Sequence, residues 1–218
     1  MQTEGESPAR LPAGDAYDSR LEEVGWVEGN ETQQKGYSLE YRRAKIEGGT
    51  YFFTLVTYER KKILCAPENV RLLRQVFREV MRNHPFKIDA FVLLPDHLHS
   101  IWTLSQDDCD FSNRWRLIKS SFSRGCKDEY KSSRTVSRQK KQEQAIWQRR
   151  FWEHQIRDEE DFARHVEYIH YNPVRHGLAT APKDWEYSSF HRYVRRGIYD
   201  IEWGDLSEVR FDSAIGSE

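Results

Sequence analysis

The chain has 218 residues and a formal net charge of −1, a size that suits one domain with extensions and allows a buried core. Its three cysteines are few, odd in number and without C-x-x-C spacing, so they indicate neither a disulfide framework nor a cysteine-based zinc site. No apolar run is long enough to cross a bilayer, and the first residues lack the basic and apolar regions of a signal peptide. We therefore expect a protein of the reducing cytoplasm without a membrane partner.

The charge is distributed unevenly along the chain. Residues 1–31 carry eight acidic side chains against two arginines, and residues 198–218 carry six against one arginine. The remaining residues, 32–197, therefore have a net charge of +10, which is typical of a protein that binds a polyanion. The composition predicts an acidic, disordered N-terminal extension over 1–37, a folded domain over 38–197 and an acidic C-terminal tail over 198–218.

The first half of the chain predicts a helix between strands. Residues 50–58 are rich in β-branched and aromatic side chains and predict a strand. Residues 67–83 begin with proline and carry apolar residues at helical spacing, which predicts a helix. Residues 88–94 and 97–104 then predict two strands joined as a hairpin.

The second half completes a recognisable order of elements. Ser112 is the predicted N-cap of a helix whose apolar residues extend to Phe122, and the polar, basic residues 127–144 predict a long loop. Residues 146–156 predict a last strand, and residues 159–171 a further helix. The order β-α-β-β-α-β is the ferredoxin-like pattern, an α+β fold with an antiparallel sheet and helices on one face, here with an added C-terminal helix.

Two histidines in the predicted hairpin have the spacing of a metal site. His97 and His99 lie on the same face of a strand, while Leu98 between them points the other way. Their imidazoles could hold one divalent ion. Zinc is an alternative, but a hydrolytic zinc site needs a third histidine or acidic ligand, and none is apparent nearby. An amide oxygen from Asn172 would favour Mg²⁺ or Mn²⁺.

The predicted last helix offers a nucleophile. At 100° per residue its buried stripe is formed by Phe162, Val166 and Ile169. Tyr168 lies off this stripe and shares a flank with His165 and Asn172, whereas Tyr171 points toward solvent. Tyr168 is therefore the better candidate of the two tyrosines. Pro173 disfavours the α region for the preceding residue, which places Asn172 at the helix end.

Several ordered blocks of the sequence resemble the single-tyrosine HUH transposases, and within them the REP-associated tyrosine transposases. The blocks are residues 49–54, 95–99, 147–154, 168–178 and 185–190. The resemblance implies a ferredoxin-like HUH domain in which Tyr168 attacks single-stranded DNA at palindromic repeat hairpins. The attack leaves a 5′-phosphotyrosine and a free 3′-OH, and the reverse attack by a 3′-OH rejoins the strand.

The resemblance also implies a metal-ligand set. His97 and His99 are expected to bind Mg²⁺ or Mn²⁺, and a polar residue on the tyrosine helix completes the site. That position matches Asn172 here, where related insertion-sequence enzymes commonly have glutamine, and His165 is the alternative. The protein is expected to act at the bacterial nucleoid, and the sequence leaves a monomer and a homodimer equally open.

A basic segment is the predicted DNA contact. Residues 114–150 carry twelve Lys or Arg side chains against three acidic ones, interleaved with aromatic residues that can stack on unpaired bases. A solvated surface loop over core aromatics explains the pattern equally well. The side chains named as candidate DNA contacts are Arg116, Lys119, Arg124, Arg149 and Arg150.

Two other functions remain as alternatives. Ferredoxin-like sheets often bind single strands without catalysis, so a non-catalytic nucleic-acid-binding module is one. A rolling-circle initiator or plasmid relaxase would use the same chemistry, but such enzymes usually place the tyrosine differently relative to the histidine pair. The presence of both the histidine pair and the tyrosine favours the enzyme.

Overall fold

The computed structural model describes residues 46–131, 133, 135–140 and 143–205. The predicted N-terminal extension, and the part of the predicted tail after residue 205, lie outside these ranges. Among the helices described, none is long and apolar enough to cross a membrane.

Within the described ranges, four strands and five α-helices follow one another in nearly the predicted order. They are β1 (Thr50–Val56), α1 (Pro67–Asn83), β2 (Phe86–Leu93), β3 (His97–Leu104), α2 (Phe111–Gly125), α3 (Val136–Lys140), β4 (Trp152–Gln155), α4 (Glu159–Arg175) and α5 (Phe190–Arg195). The strands form one sheet in the order β2-β3-β1-β4, and every neighbouring pair is antiparallel. This is the ferredoxin-like sheet, so the predicted fold class is confirmed.

One face of the sheet packs against α1 and α2. The strand side chains Phe53 and Trp102 meet Phe77 of α1 and Trp115 of α2 in an apolar core. The indole rings of Trp102 and Trp115 are stacked with their centres 3.9 Å apart. Each of these strand residues alternates with a residue on the other face, because successive side chains of a strand point to opposite sides.

The other face of the sheet packs against α4. Phe52 and Ile101 from the strands contact Val166 and Ile169 of the helix. The pairing of β1 with β3 places Thr54 opposite His99 and Val56 opposite His97. The predicted alternation of β3 is therefore confirmed, and its two histidines face the tyrosine helix.

Two helix ends differ from the prediction. Asp110, and not Ser112, is the N-cap of α2, because its carboxylate accepts a hydrogen bond from the Asn113 backbone N–H at 3.1 Å. Helix α4 does not end before Pro173 but continues to Arg175. The helix remains intact there because Asn172 and Pro173 are buried, and packing outweighs the local cost of the missing proline N–H.

The last strand and the C-terminal boundary also differ. Only residues 152–155 of the predicted strand 146–156 pair as β4, while Trp147 makes an isolated bridge with Thr57. Beyond residue 197, where the predicted domain ends, Tyr199 stacks on Trp203 with ring centres 4.7 Å apart. The packed chain therefore extends at least to residue 205.

Candidate active site

The two histidines of β3 are buried, and the Nδ1 atom of each contacts a polar side chain. His97 Nδ1 donates a hydrogen bond to Asp96 Oδ1 at 2.7 Å, and His99 Nδ1 lies 2.9 Å from Thr54 Oγ1. The ring centres are 5.0 Å apart. When Nδ1 donates a proton, the lone pair is on Nε2, so these contacts favour Nε2 as the atom of each ring that could hold a metal.

Helix α4 brings Tyr168 to this histidine pair and carries Asn172 one turn further along the same flank, before His176, whose ring contacts that of His97. The ring centre of Tyr168 lies 5.2 Å from that of His99, in an edge-on arrangement, and the tyrosine is 1 % exposed. Asn172 is fully buried, and neither of its amide atoms has a hydrogen-bond partner among the described residues. A buried amide without partners is costly and calls for an explanation, and a ligand bound through Oδ1 supplies one.

Tyr171 lies away from the histidine pair. Its ring packs edge-on against Trp203 with centres 6.4 Å apart, and the side chain is partly buried by residues of the C-terminal segment. The structure thus separates the two tyrosines of the motif, and it is Tyr168 that contacts His99.

His165, the alternative metal ligand, belongs to a neighbouring cluster. The possible ligand atoms of His154, Asp161 and His165 all lie within 4.8 Å of one another. However, His165 Nδ1 donates to the Asp161 carbonyl at 2.7 Å, and Asp161 Oδ2 accepts from both His154 and Arg157 at 2.9 and 3.1 Å. The guanidinium already neutralises the carboxylate, so this cluster suits a hydrogen-bond network better than a cation.

The ionisation of the cluster supports this interpretation. Burial alone would raise the pKa of Asp161, but the hydrogen bonds from Arg157 and His154 lower it below its usual range. Burial lowers the pKa of His165, which favours the neutral imidazole. His154 and Asp161 were not predicted as site residues, although the i, i+4 spacing of Asp161 and His165 indicates that these two share a helix flank.

A short chain of polar contacts supports His97 from the surface. Asp96 accepts from His97 and is also within 3.4 Å of the Arg60 guanidinium. Arg60 and the preceding Glu59 both adopt positive φ angles, 48° and 55°, in the turn after β1. Such conformations are uncommon outside glycine and are often retained at functional sites.

Two exposed residues at the end of α4 contact the buried site. The Arg175 guanidinium carbon lies 5.2 Å from the centre of the Tyr168 ring, and the His176 ring centre lies 5.0 Å from that of His97. Neither residue was predicted from the sequence, because the expected helix ended before Pro173.

A basic groove runs between α2 and residues 143–151. It has a volume of about 980 Å³ and reaches the sheet where Gln148 N donates to Val56 O, next to the pairing of Val56 with His97. Four of the five predicted DNA contacts line it, namely Arg116, Lys119, Arg124 and Arg149. Arg150 is exposed but is not among the lining residues.

The comparisons with known proteins agree with this geometry. The family described as "Transposase IS200 like" matches residues 45–172. The chain belongs to this family. It is 44 % identical over 170 residues to the REP-associated tyrosine transposase of Escherichia coli K12, across 78 % of this chain and 93 % of that protein. It is 40 % identical over 175 residues to a putative REP-associated tyrosine transposase of Haemophilus influenzae, across 80 % of this chain and 98 % of that protein.

A solved structure is also similar. The REP-associated tyrosine transposase bound to a REP hairpin matches with a TM-score of 0.65 and 43 % identity, across 80 % of this chain and 95 % of that one. The named relatives are transposases, which are DNA-cleaving enzymes. This chain is therefore an enzyme of the transposase class, with the mixed α+β fold of its solved relative.

Proposed function

We propose that this protein cleaves and rejoins single-stranded DNA at palindromic REP-like hairpins, with Tyr168 as the covalent nucleophile and a divalent metal at His97, His99 and Asn172. The observation that carries the proposal is the meeting of a buried tyrosine, a histidine pair and a buried amide without hydrogen-bond partners on one face of the sheet.

The proposed cleavage needs no reactant other than the DNA and the Tyr168 phenol. Tyr168 Oη forms a bond to the phosphorus while the bond from phosphorus to the 3′ oxygen breaks. The phenol loses its proton, and the departing oxygen becomes a 3′-OH. The product is a 5′-phosphotyrosine, which keeps a phosphodiester bond, so attack by another 3′-OH restores the DNA backbone and releases the phenol.

The residues present fit a hard or borderline divalent ion. Two imidazole nitrogens and one amide oxygen are suitable ligands for Mn²⁺ or Mg²⁺, and the buried amide of Asn172 supports this assignment over His165. When bound, the ion would polarise the scissile phosphate and stabilise charge on its oxygens. Asp96 and Thr54 fix the orientation of the two imidazole rings through contacts to their Nδ1 atoms.

The basic groove is the proposed binding surface for the DNA backbone. The similar solved structure contains a REP hairpin, and the groove of this chain combines four of the predicted cations with Phe151 and Trp147. The groove lies on the α2 side of the sheet and reaches it at the end where His97 begins β3, so a strand bound there must pass around this end to reach the proposed metal site on the α4 side. Since its substrate is chromosomal DNA, we place its action at the nucleoid of the bacterial cytoplasm.

The groove can be tested by binding. Arg116 and Arg124 are exposed and hydrogen-bond only to neighbours on their own helix in the described contacts, so replacing both with alanine should not disturb the fold. We expect hairpin affinity to fall about 10-fold and the slope of log affinity against log salt to decrease by roughly 2. The matched control replaces Arg71 and Arg82, two exposed arginines of α1. An equal loss in the control would contradict the assignment.

Cleavage tests the proposed function itself. The full-length protein is incubated with a labelled single-stranded hairpin from the repeats that flank its gene, in the presence of Mn²⁺ or Mg²⁺. We expect an SDS-resistant adduct in the wild type and in Tyr171→Phe, which is lost in Tyr168→Phe and in EDTA. Tight binding without an adduct in any protein would leave only the non-catalytic binding module.

A further inference from the structure

Helix α4 carries one continuous stripe of polar residues. Counting in steps of four and three along the helix, the stripe consists of Asp161, His165, Tyr168, Asn172 and Arg175. The first four are buried, and Arg175 is exposed. The stripe therefore begins in the hydrogen-bonded cluster of Asp161, passes through the proposed nucleophile and metal ligand, and ends in a cation at the surface.

The position of Arg175 depends on the continuation of α4 through Pro173. Two helical turns separate it from Tyr168, so both side chains lie on the same flank. The guanidinium carbon is 5.2 Å from the centre of the Tyr168 ring. On the other side of the site, the exposed His176 contacts the buried His97. These two consecutive residues thus cover the nucleophile and the proposed metal ligand where the site meets solvent.

We propose that Arg175 binds the phosphate that Tyr168 attacks, which makes it a catalytic residue of this enzyme. The inference rests on the proposed function, because the phosphate must lie at Tyr168 Oη. The exposed guanidinium of Arg175 lies over the Tyr168 ring, from where it can reach the non-bridging phosphate oxygens. Its planar fork matches their geometry.

The chemistry of the step explains why a cation is needed on this side. Negative charge moves onto the phosphate oxygens and the departing 3′ oxygen as the bond to Tyr168 Oη forms. A fixed cation that contacts these oxygens stabilises the transition state more than the bound substrate. A basic residue in the last turn of a helix also interacts with the helix dipole, so the test must separate this structural role from phosphate binding.

A methylphosphonate scan tests the phosphate contact without requiring cleavage. In the Tyr168→Phe background, which keeps an aromatic ring under the guanidinium, each phosphate of the single-stranded flank is replaced in turn by neutral methylphosphonate. Binding is measured in EDTA, so that differences report on protein side chains. Arg175→Ala is compared with Arg164→Ala, an exposed arginine on the same helix that pairs with Glu160.

We expect one phosphate whose neutralisation weakens binding about 10-fold when Arg175 is present and has no effect in Arg175→Ala. Arg164→Ala should keep the full effect. If the wild-type chain cleaves, the sensitive phosphate should be the one at the cleaved bond. Equal losses with and without Arg175 at every position would overturn the proposal, as would a sensitive phosphate away from the cleaved bond.

Single-turnover rates provide a second readout that a dipole effect would not change. We expect Arg175→Ala to lower the maximal rate of adduct formation roughly 100-fold, in addition to the roughly 10-fold rise in half-saturating protein concentration that follows from the lost phosphate contact. Arg175→Lys keeps the charge at the helix end but loses the fork, so it should recover only part of the rate. Full recovery by lysine, or a loss confined to binding, would contradict a bidentate contact in the transition state. Loss of the adduct in the wild type as well would instead contradict the proposed function.

Discussion

The two faces of the sheet have opposite chemistry. The face under α1 and α2 is filled with aromatic and aliphatic side chains, including the stacked pair of Trp102 and Trp115. The face under α4 buries polar groups as deeply, among them His97, His99 and Asn172. Because strand residues alternate, adjacent positions of β3 serve both faces.

We expect this difference to separate the residues that provide stability from those that provide activity. The aromatic face gains free energy from burying apolar area, while the polar face gives up some of that free energy to hold imidazoles and an amide away from water. The fold can carry an unfavourable buried site because the opposite face and the rest of α4 are well packed. Substitutions on the two faces should therefore act on different observables.

The largest expected change in stability lies on the aromatic face. Trp102→Ala removes a fully buried ring that stacks on Trp115, and its Nε1 also donates to Ser100 Oγ at 2.8 Å. We expect the free energy of unfolding to fall by about 3–5 kcal/mol in urea denaturation. Trp203→Ala, on the C-terminal segment and only partly buried, is the control. A loss of under about 1 kcal/mol from Trp102→Ala would contradict the role of this face.

The opposite sign is expected at Asn172. Leucine has nearly the same shape and removes a buried amide that has no hydrogen-bond partner in the described part of the chain. In EDTA we expect Asn172→Leu to raise the free energy of unfolding by about 1 kcal/mol. Mn²⁺ should raise the Tm of the wild type and have little effect on the variant. Destabilisation by leucine in EDTA would show that the amide makes a favourable contact in the apo protein.

A further effect on stability depends on pH and on the buried His170 of α4. Burial lowers the pKa of His170 to about 3, with a further contribution from Arg192. Below about pH 6.5 the unfolded chain binds a proton that the folded protein excludes, so stability is complete above that pH and decreases as the pH falls toward 3. The lowered pKa of His165 acts in the same direction.

Urea denaturation at pH 7 and pH 5 measures this dependence. We expect a loss of about 1 kcal/mol per pH unit from His170 in the lower part of this window. His170→Gln keeps a donor near Ser189 Oγ, which lies 2.8 Å from His170 Nε2, but does not titrate. Its pH dependence should be smaller than that of the wild type. An equal slope in the two proteins would assign the effect to other groups.

The sequence predicted the residues that lie on regular, strongly periodic elements. The strand alternation around His97 and the helical angle between Tyr168 and Asn172 follow from local geometry, and the order of elements limited the fold to one topology. The sequence did not predict what long-range packing decides. The continuation of α4 past Pro173 depends on burial against the sheet, so Arg175 and His176 were missed.

Contacts between side chains that are distant in sequence could also not be predicted from local sequence patterns. His154 on β4 joins Asp161 only because the sheet brings β4 beside the start of α4. The groove between α2 and residues 143–151 likewise forms only when folding brings these two segments together. The basic composition of both segments had indicated that the protein binds a polyanion. Composition predicted the ligand class, and the structure is needed to show which cations share a surface.

The most direct test of the central claim is to identify the amino acid that carries the DNA. The adduct formed with Mn²⁺ is digested with nuclease and trypsin, and the peptide spanning residues 165–175 is sequenced by mass spectrometry. It contains both Tyr168 and Tyr171, so fragment ions decide between them. We expect the nucleotide on Tyr168. A nucleotide on Tyr171, or cleaved DNA without any linked peptide, would contradict it.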